Sequence, residues 1–426
     1  MIFIFKNKNT SKHNTMFQLN EQQQNVIDLL RQGYHVFMTA PAGNGKSKCI
    51  EQIQENFPDK TVYITSTTGV SALNINGSTL HSFLGIGLGE GDVNFLIKKI
   101  NTSSAVRSRL VLKDTILVID EVSMLSGALL TKIDLILKGI RHDNRPFGGI
   151  QMLFSADLLQ LSPINELGIL NTPIFKENFK MVSLTVNYRQ ETDTTYKDIL
   201  NNLRMDKLTE ENITELQTRN NLDTSTLDYP RIFCTNKEIN LVNKRYFNSI
   251  KQPEVLFTAT FAGKGTHLTD LKQQFKKREI DNLVLKIGTK VMLTKNLNQE
   301  AGLINGSMGV IMSFSNGNPV VRFDNGIEIL VNKLKHELHV GNNIVATATQ
   351  LPLIIAYAFT AHKIQGVTLQ NAIIDCSNAF CEHQIYVMLS RVKTLDGLFL
   401  VNFNKNKIKV NKEVIEFYES LQSLKI

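Results

Sequence analysis

The feature that most constrains this chain is a short loop, residues 40–47, that contains two glycines and a lysine. The loop follows an apolar strand pattern at 36–38 and precedes an amphipathic helical pattern. In such a unit, glycines allow backbone N–H groups to turn toward phosphate oxygens, and the helix N-terminus adds positive potential. The loop therefore predicts a phosphate-binding site formed by Ala40, Pro41, Ala42, Gly43, Asn44, Gly45, Lys46 and Ser47.

An acidic pair supports this prediction. We expect Lys46 to reach the β- and γ-phosphates and Ser47 to hold Mg²⁺. A second apolar strand pattern, 116–119, ends in Asp120 and Glu121. Asp120 is expected to hold Mg²⁺ through water, and Glu121 to orient and polarise the attacking water. The alternatives are a glycine turn that caps a helix and a solvated acidic turn, but the two features together favour a nucleoside triphosphatase.

Further apolar strand patterns indicate the fold class. They occur at 62–65, 150–154 and 181–184, and helical patterns separate them. This alternation predicts an α/β fold with a mostly parallel sheet that is covered on both faces. Ligands of such sheets bind at the carboxyl ends of the strands, where the polar residues of this chain stand.

Residues 285–335 have a different pattern. Short β-like runs are separated by Asn-Gly pairs at 305–306, 316–317 and 325–326, and such pairs are strong signals of tight turns. The pattern predicts a small β-barrel inserted into a second α/β domain, which resumes near Gln350.

The composition excludes several classes of protein. The 426 residues are 42% apolar and 20% charged, which is typical of a globular chain with roughly two to four domains. The four cysteines match neither a zinc site nor a disulfide framework. The longest nearly apolar stretch, 351–361, is too short to span a bilayer, so we expect a soluble intracellular protein. The net charge of +8 is compatible with a polyanionic partner, although charge alone is weak evidence.

Eight further motifs occur in order along the chain. They are Leu-Asn-Glu-Gln-Gln at 19–23, Thr-Ser-Thr-Thr-Gly-Val-Ser-Ala-Leu at 65–73, Gly-Ser-Thr-Leu-His-Ser-Phe at 77–83, Gly-Gly-Ile-Gln at 148–151, Asp-Leu-Leu-Gln-Leu at 157–161, Asn-Tyr-Arg-Gln at 187–190, Ala-His-Lys-Ile-Gln-Gly at 361–366 and Tyr-Val-Met-Leu-Ser-Arg-Val at 386–392. With the loop and the acidic pair, they make the chain resemble superfamily 1B DNA helicases of the petite-integration-frequency (PIF) group, relatives of the RecD helicases. Residues 130–141 resemble the signature helix of the group, and 302–309 the start of its inserted barrel.

The resemblance implies an architecture. It implies two RecA-like P-loop NTPase domains with a small inserted SH3-like β-barrel. The expected segments are a flexible tail at 1–18, the first domain at 19–180, the barrel at 285–335, and the second domain at 181–284 and 336–426.

The resemblance also implies roles for single residues. Gln23 is expected to read adenine, and Gln160 to sense the γ-phosphate and couple it to DNA. Arg189 and Arg391 are expected to reach from the second domain as arginine fingers, because cations stabilise the charge that develops at the γ-phosphate. The implied DNA contacts are Thr67, His81, Ser82, Phe83, His362, Lys363 and Gln365. The alternatives are surface ion pairs for the two arginines and core positions for Phe83 and His362.

The implied activity is that of an ATP-dependent DNA helicase that uses ATP and Mg²⁺. It moves 5′ to 3′ on single-stranded DNA and unwinds tailed or forked duplex DNA, as a monomer or a DNA-induced dimer, with no membrane partner. The implied processes are replication, repair, recombination and telomere maintenance, in the nucleus or at a site of viral DNA replication. One rival is a DNA-stimulated translocase that remodels nucleoprotein without unwinding. Another is a non-enzymatic DNA-binding protein, and the intact Lys46, Asp120 and Glu121 argue against it.

Overall fold

The computed structural model describes residues 19–423 with several short gaps. The gaps are 88, 164–165, 191, 228, 278, 299, 341–342, 362–363 and 365–366. The tail expected at 1–18 therefore lies outside the described residues.

The first half of the chain forms a six-stranded parallel sheet, which confirms the predicted fold class. The order across the sheet is β3-β2-β4-β5-β1-β6. The strands are β1 (His35–Thr39), β2 (Thr61–Ser66), β3 (Ser78–Thr79), β4 (Thr115–Asp120), β5 (Gln151–Ala156) and β6 (Phe179–Ser183). All the predicted strand patterns of this half correspond to strands of the sheet.

Helices cover both faces of this sheet. They are α1 (Glu21–Arg31), α2 (Lys46–Asn56), α3 (Gly69–Asn74), α4 (Leu80–Leu84), α5 (Val93–Asn101), α6 (Ser104–Leu110), α7 (Gly127–Arg141) and α8 (Pro173–Asn178). Side chains alternate between the faces along a strand. Val36 and Met38 of β1 therefore pack in one core with α1 and α2, while Phe37 packs in the other with α7 and α8. β4 and β5 are buried along their whole length, as central parallel strands are.

The second half forms a four-stranded parallel sheet in the order β18-β7-β19-β20. The elements before its insertion are α9 (Thr194–Arg204), α10 (Glu210–Thr218), β7 (Arg231–Phe233) and α11 (Asn236–Ser249). The inserted elements are β8 (Val255–Thr258), β9 (Thr260–Gly263), α12 (Gly265–Lys277), β10 (Asn282–Leu285), β11 (Lys290–Leu293), β12 (Met308–Ser315), β13 (Asn318–Phe323), β14 (Glu328–Leu330), β15 (Leu334–Val340), β16 (Asn343–Gln350) and β17 (Leu353–Ile355). The elements after it are β18 (Ala358–Thr360), β19 (Ala372–Asp375), α13 (Gln384–Leu389), β20 (Leu398–Val401) and α14 (Lys412–Ser423). Short 3-10 helices lie at Val122–Met124, Pro146–Gly149, Ile169–Asn171 and Lys405–Lys407.

The insertion is built mainly of antiparallel strands around its own core. Its largest sheet has the order β14-β13-β12-β11-β17, and β8 pairs with β10 beside it. The Asn316-Gly317 pair joins β12 to β13 with φ angles of +50° and +73°, the left-handed conformation that tight hairpins require. The Asn-Gly pairs were therefore correctly interpreted as hairpin turns where they join adjacent strands.

Strand pairing moves three of the expected segment boundaries. β6 continues to Ser183 and pairs with β1, so the first sheet extends beyond residue 180. The insertion begins before residue 285, because β8 at Val255–Thr258 already pairs with β10. It also ends after residue 335, because β17 at Leu353–Ile355 pairs with β11. Gln350, where we expected the second domain to resume, ends strand β16 of the insertion.

Within the part of the chain that the structure describes, none of the helices could cross a membrane.

Candidate nucleotide site and nucleic-acid groove

The phosphate-binding loop connects β1 to α2 as predicted. Gly43 and Gly45 have φ angles of +87° and +83°, which only glycine adopts without strain. A Cβ atom on Gly43 would lie 2.5 Å from the Cβ atom of Arg189, and one on Gly45 would lie 2.9 Å from Nε2 of Gln23. Both glycines are therefore required by the backbone conformation and by close neighbours.

Lys46 is the first residue of α2, and its ammonium group lies over the loop. Its Nζ atom donates to the carbonyl oxygens of Ala40, at 2.6 Å, and Pro41, at 3.2 Å. Burial lowers the pKa of Lys46, and the nearby carboxylates of Asp157, Glu121 and Asp120 oppose that effect. The ammonium group of Lys46 is thus hydrogen-bonded to carbonyl oxygens and lies near carboxylates. The charged oxygens of a triphosphate would be stronger hydrogen-bond acceptors than these carbonyl oxygens.

The acidic pair lies where β4 ends. Oδ2 of Asp120 accepts a hydrogen bond from Oγ of Ser71 at 2.7 Å. Glu121 has a left-handed backbone (φ +54°), which is strained for a residue other than glycine and is often found at active sites. Burial and the negative charge of Asp120 raise the pKa of Glu121 to about 7, against the opposing charges of Lys46 and Arg391. A carboxylate with this pKa is suited to take a proton near neutral pH.

The residues expected to hold Mg²⁺ are a hydroxyl and a carboxylate, which are the oxygen ligands that this ion prefers. Ser47 is exposed at the start of α2, and the Asp120 carboxylate is nearly buried at the end of β4. In the described ranges, no cluster of three or more His, Cys, Asp or Glu side chains is arranged for a metal ion. Magnesium at phosphate sites usually has one or two protein carboxylates plus substrate oxygens and water, so a dedicated cluster is not needed.

Gln23 is fully buried against the phosphate-binding loop. Its Oε1 atom accepts from the backbone N–H of Asn20 at 3.0 Å, which completes a capping box at the start of α1. Its Nε2 atom donates to the carbonyl oxygen of Gly45 at 3.3 Å. The neighbouring Tyr188 lies within the motif at 187–190 but had no predicted role, and its hydroxyl accepts a hydrogen bond from Nδ2 of Asn20 at 3.0 Å. The adenine contact of Gln23 stays a prediction.

Arg189 lies in the segment that connects the two sheets, and this corrects its expected place. We expected Arg189 to reach from the second domain, but residues 184–190 are hydrogen-bonded to the phosphate-binding loop. Nδ2 of Asn44 donates to the carbonyl oxygen of Leu184 at 2.9 Å. The backbone N–H of Tyr188 donates to the carbonyl oxygen of Gly43 at 3.0 Å. The Arg189 guanidinium reaches the second domain, where it donates to the carbonyl oxygen of Ser390 at 2.8 Å, and Nε2 of Gln190 donates to that of Val392 at 3.2 Å. Burial and the charge of Arg391 lower the pKa of Arg189 to about 9.

Arg391 follows α13 in the second domain and is buried, with 1% exposure. Its Nε atom donates to the carbonyl oxygen of Val387 and its Nη2 atom to Oγ of Ser390, each at 2.9 Å. Burial lowers the pKa of Arg391, while Tyr386 and Glu121 raise it. The surface ion-pair alternative is wrong for this residue, because it is buried and interacts electrostatically with Glu121 across the cleft.

The turn after β5 carries Gln160 and Asp157, and the partners of Asp157 were not predicted from the sequence. Gln160 is 3% exposed, and its N–H donates to the carbonyl oxygen of Asp157 at 3.0 Å. The Asp157 carboxylate is fully buried and pairs with Arg204 of α9, with Nη2 to Oδ1 at 2.7 Å and Nε to Oδ2 at 3.0 Å. Burial alone would raise the pKa of Asp157, but the charge and hydrogen bonds of Arg204 hold it below its ordinary value. The role of Gln160 as a γ-phosphate sensor stays a prediction.

Two tyrosines complete the surroundings of Asp157. The hydroxyl of Tyr386, from α13, donates to Oδ2 of Asp157 and accepts from the N–H of Ala42, each at 3.3 Å. The hydroxyl of Tyr418, from α14, lies 3.5 Å from Oδ1. Tyr386 lies within a motif, but no motif includes Arg204 or Tyr418, so their contacts with Asp157 were not predicted.

A groove lies between the two domains and the insertion. It forms a cavity of about 1,210 Å³, larger than the roughly 300–1,000 Å³ of small-molecule pockets. Three of the predicted DNA contacts line it: Thr67, His81 and Ser82. The second domain contributes Asn243, Lys244, Phe247 and Phe359, and the insertion contributes residues of α12 and β10.

The other predicted DNA contacts have different outcomes. Phe83 is 2% exposed and packs in the core of the first domain against Tyr63, so the expected DNA contact of Phe83 is wrong and the core alternative is correct. Ser82 lines the groove, but its hydroxyl donates to Oδ2 of Asp270 on α12 at 2.6 Å. The remaining contacts lie outside the described residues: His362, Lys363 and Gln365.

The fold and the site together define a two-domain P-loop nucleoside triphosphatase with a groove between the domains. The profile of the "PIF1-like helicase" family matches residues 18–212, and that of the "DNA helicase Pif1, 2B domain" matches 275–314. The chain is 32% identical to the ATP-dependent DNA helicase Pif1 of Bdellovibrio bacteriovorus, over 96% of this chain and 93% of that protein. The chain therefore belongs to the PIF1-like helicase family.

Other relatives agree with this assignment. The ATP-dependent DNA helicase PIF1 of Danio rerio is 32% identical over 95% of this chain, and the chain spans 64% of its length. A crystal structure of Bacteroides sp. Pif1 in complex with ADP-AlF4 is 27% identical, with a TM-score of 0.80 over 95% of this chain and 97% of that one. Bacteroides Pif1 bound to single-stranded DNA gives a TM-score of 0.65 over the same shares. Unliganded Bacteroides Pif1 gives the same TM-score of 0.80 as the nucleotide-analogue complex, so the arrangement of this chain is more similar to the DNA-free structures than to the DNA complex.

Proposed function

We propose that this protein is an ATP-dependent DNA helicase that moves along single-stranded DNA and unwinds duplex DNA. One observation carries the proposal. Thr67 lines the groove, and its hydroxyl donates to the backbone carbonyl oxygen of Glu121 at 2.7 Å. A single side chain therefore connects the predicted DNA surface to the backbone of the residue that carries the predicted catalytic carboxylate, and such a connection would let bound DNA influence the position of that residue.

The hydrolysis step follows from the charges at the cleft. Glu121 orients the attacking water and takes its proton, and its raised pKa of about 7 makes it a competent base. Lys46 and Arg391 stabilise the negative charge that develops at the γ-phosphate. Arg189 acts beside them from the connecting segment, where it already touches both domains. Since Arg391 belongs to the second domain, hydrolysis depends on closure of the cleft.

The nucleotide and the metal ion have assigned ligands in this proposal. Lys46, Ser47 and the backbone of the phosphate-binding loop bind the phosphates, and Gln23 contacts adenine. Ser47 and Asp120 would hold Mg²⁺, which would neutralise charge at the phosphates. Gln160 senses the γ-phosphate from the turn after β5.

Membership of the family supports proposals for the DNA partners, the direction of movement and the cellular processes that the protein serves. The relatives bind single-stranded or forked DNA according to their structures, and we propose the same partners here. Translocation is 5′ to 3′, by a monomer or a DNA-induced dimer. The protein serves genome replication, repair, recombination or telomere maintenance, in the nucleus or at a site of viral DNA replication.

Strand displacement tests the proposal directly. A labelled duplex with a 5′ single-stranded tail is incubated with the protein, ATP and Mg²⁺, beside a 3′-tailed and a blunt duplex. We expect displacement of the 5′-tailed substrate alone, and none with ADP or with Lys46→Ala. Efficient displacement of only the 3′-tailed duplex would contradict the proposed polarity.

The rival translocase without unwinding activity gives a different result in the same experiment. It would hydrolyse ATP in the presence of single-stranded DNA and displace a bound protein such as streptavidin from a 5′-biotinylated or 3′-biotinylated strand. It would leave every duplex intact. A non-enzymatic DNA-binding protein would fail all three assays, so the two rivals are distinguished from each other and from the helicase.

A further inference from the structure

The helix α14 belongs by chain order to the second domain but packs on the first. It follows β20 of the second sheet, yet Ile415 and Tyr418 are buried in the core of the first domain. The ring of Phe417 lies 6.5 Å from that of Phe175 on α8. The helix therefore joins the two domains on the side of the cleft that carries the nucleotide site.

Tyr418 extends from this helix to two elements of the nucleotide site. Its hydroxyl is hydrogen-bonded to the hydroxyl of Thr39, the last residue of β1 before the phosphate-binding loop. It also accepts from the backbone N–H of Leu158, at 3.0 Å, in the turn that carries Gln160. The aromatic ring lies under the Arg204 guanidinium, whose central carbon is 4.6 Å from the ring centroid. Tyr418 is 5% exposed, so water does not readily replace these contacts.

We propose that Tyr418 is a positioning residue for ATP hydrolysis, because its hydroxyl sets the placement of the phosphate-binding loop relative to the turn that carries Asp157 and Gln160. The proposal rests on the ATPase activity proposed above. It adds a residue from outside the motifs, on a helix that follows the last motif in the chain.

The physical reason lies in what the hydroxyl joins. β1 and the turn after β5 belong to neighbouring strands, and β1 leads to Lys46 while β5 leads to Gln160. Loss of the hydroxyl removes the acceptor for the buried N–H of Leu158 and the partner of Thr39 at the same time. Misplacement of reacting groups by a fraction of an ångström to 1 Å lowers turnover by up to about 10²-fold, even when the change is remote from the chemistry.

The test is Tyr418→Phe, which keeps the ring under Arg204 and removes only the hydroxyl. We expect kcat of ATP hydrolysis with saturating single-stranded DNA to fall about 10- to 100-fold. The KM for ATP should stay within about threefold of wild type, because Lys46 and the loop backbone still bind the phosphates. The matched control is Glu419→Gln, the next residue on α14, whose exposed ion pair with Lys207 is 2.7 Å long. This control should keep wild-type turnover.

Thr39→Val provides a second route that does not depend on the folding of the tyrosine variant. It removes the other hydroxyl and keeps a β-branched residue at the end of β1, so it should give the same loss of kcat. The double variant should be no slower than the slower single variant, since both changes break one connection.

Three results would overturn the proposal. They are turnover of Tyr418→Phe or Thr39→Val within twofold of wild type, multiplicative losses in the double variant, and an equal loss in Glu419→Gln. If the wild-type protein itself showed no DNA-stimulated hydrolysis, the proposed function would fail, and this proposal with it. Normal wild-type activity with normal Tyr418→Phe activity would remove only the role of Tyr418.

Discussion

Replacement of Arg204 by methionine would leave a carboxylate buried without its cation. Asp157 has no exposed side-chain surface, and Arg204 has 8%. Two short hydrogen bonds, of 2.7 and 3.0 Å, join the guanidinium to the two carboxylate oxygens. Methionine keeps most of the volume and the contact with the Tyr418 ring, so the change removes mainly charge and hydrogen bonds.

The magnitude follows from burial. Removing one partner of a buried ion pair costs about 3–5 kcal/mol, because the remaining charge stays desolvated. The hydroxyls of Tyr386 and Tyr418 and the N–H of Leu159 still face Asp157, so we expect the lower end, about 3 kcal/mol. The exposed ion pair between Lys207, which lies close to Arg204 in sequence, and Glu419 provides a comparison with the buried pair. Its loss should lower the free energy of unfolding by at most about 1 kcal/mol.

The loss should depend on pH in a defined direction. In the wild type, the pKa of Asp157 lies below its unfolded value of about 4, so its contribution is fully present above that value. The contribution is lost as the pH falls through the lower folded pKa. In Arg204→Met, burial without the cation raises the pKa of Asp157, so protonation relieves the penalty as the pH falls. The difference in stability between wild type and variant should therefore be largest near pH 7 and smaller near pH 4.5.

Denaturant unfolding followed by circular dichroism at the two pH values measures this difference. The double variant Arg204→Met, Asp157→Asn removes the buried charge as well and should recover part of the lost stability at pH 7. The reasoning would be refuted by a stability loss below 1 kcal/mol, or by a loss that is the same at both pH values.

Three further predictions concern hydrolysis directly. Lys46→Ala should lower ATP turnover by about two orders of magnitude or more while DNA binding is retained, and turnover within threefold of wild type in a coupled ATPase assay would contradict the phosphate-binding role. Glu121→Gln should bind ATP and Mg²⁺ but hydrolyse it poorly, since the amide cannot accept a proton, and failure to bind a fluorescent nucleotide analogue would instead indicate a metal ligand. Arg391→Ala should lose about 10²–10⁴-fold of DNA-stimulated turnover, with poor rescue by lysine, and near-normal stimulated rates would exclude the arginine-finger role.

The local elements around the phosphates were largely predictable from the sequence. The apolar pattern at 36–38 and the glycines at 43 and 45 predicted a strand, a loop and a helix, and α2 begins at Lys46, as that pattern requires. The signal is local, because the loop conformation depends on backbone freedom at neighbouring positions. The same holds for Asn316-Gly317, which closes a hairpin whose strands adjoin it.

Contacts between distant parts of the chain were not predictable in this way. Phe83 follows a motif of polar residues, yet it packs against Tyr63, and only the tertiary structure decides between a groove and a core. Arg189 lies beyond β6 in sequence, but the bonds of Gly43 and Asn44 hold its segment to the first domain. The insertion was predicted too short because its closing pairs, β8 with β10 and β11 with β17, are formed by strands without turn signals beside them.

The packing of α14 on the first domain also has a mechanical meaning. The chain crosses the cleft twice, first at 184–190 and again between β20 and α14, and both crossings are bonded to the first domain. A line can be drawn through the two crossings, and rotation of one domain about that line stretches neither connecting segment. These two connections therefore favour a hinge rotation about that line over other relative movements of the domains. If nucleotide binding closes the cleft, as the proposed mechanism requires, the covalent connections would guide the direction of that closure.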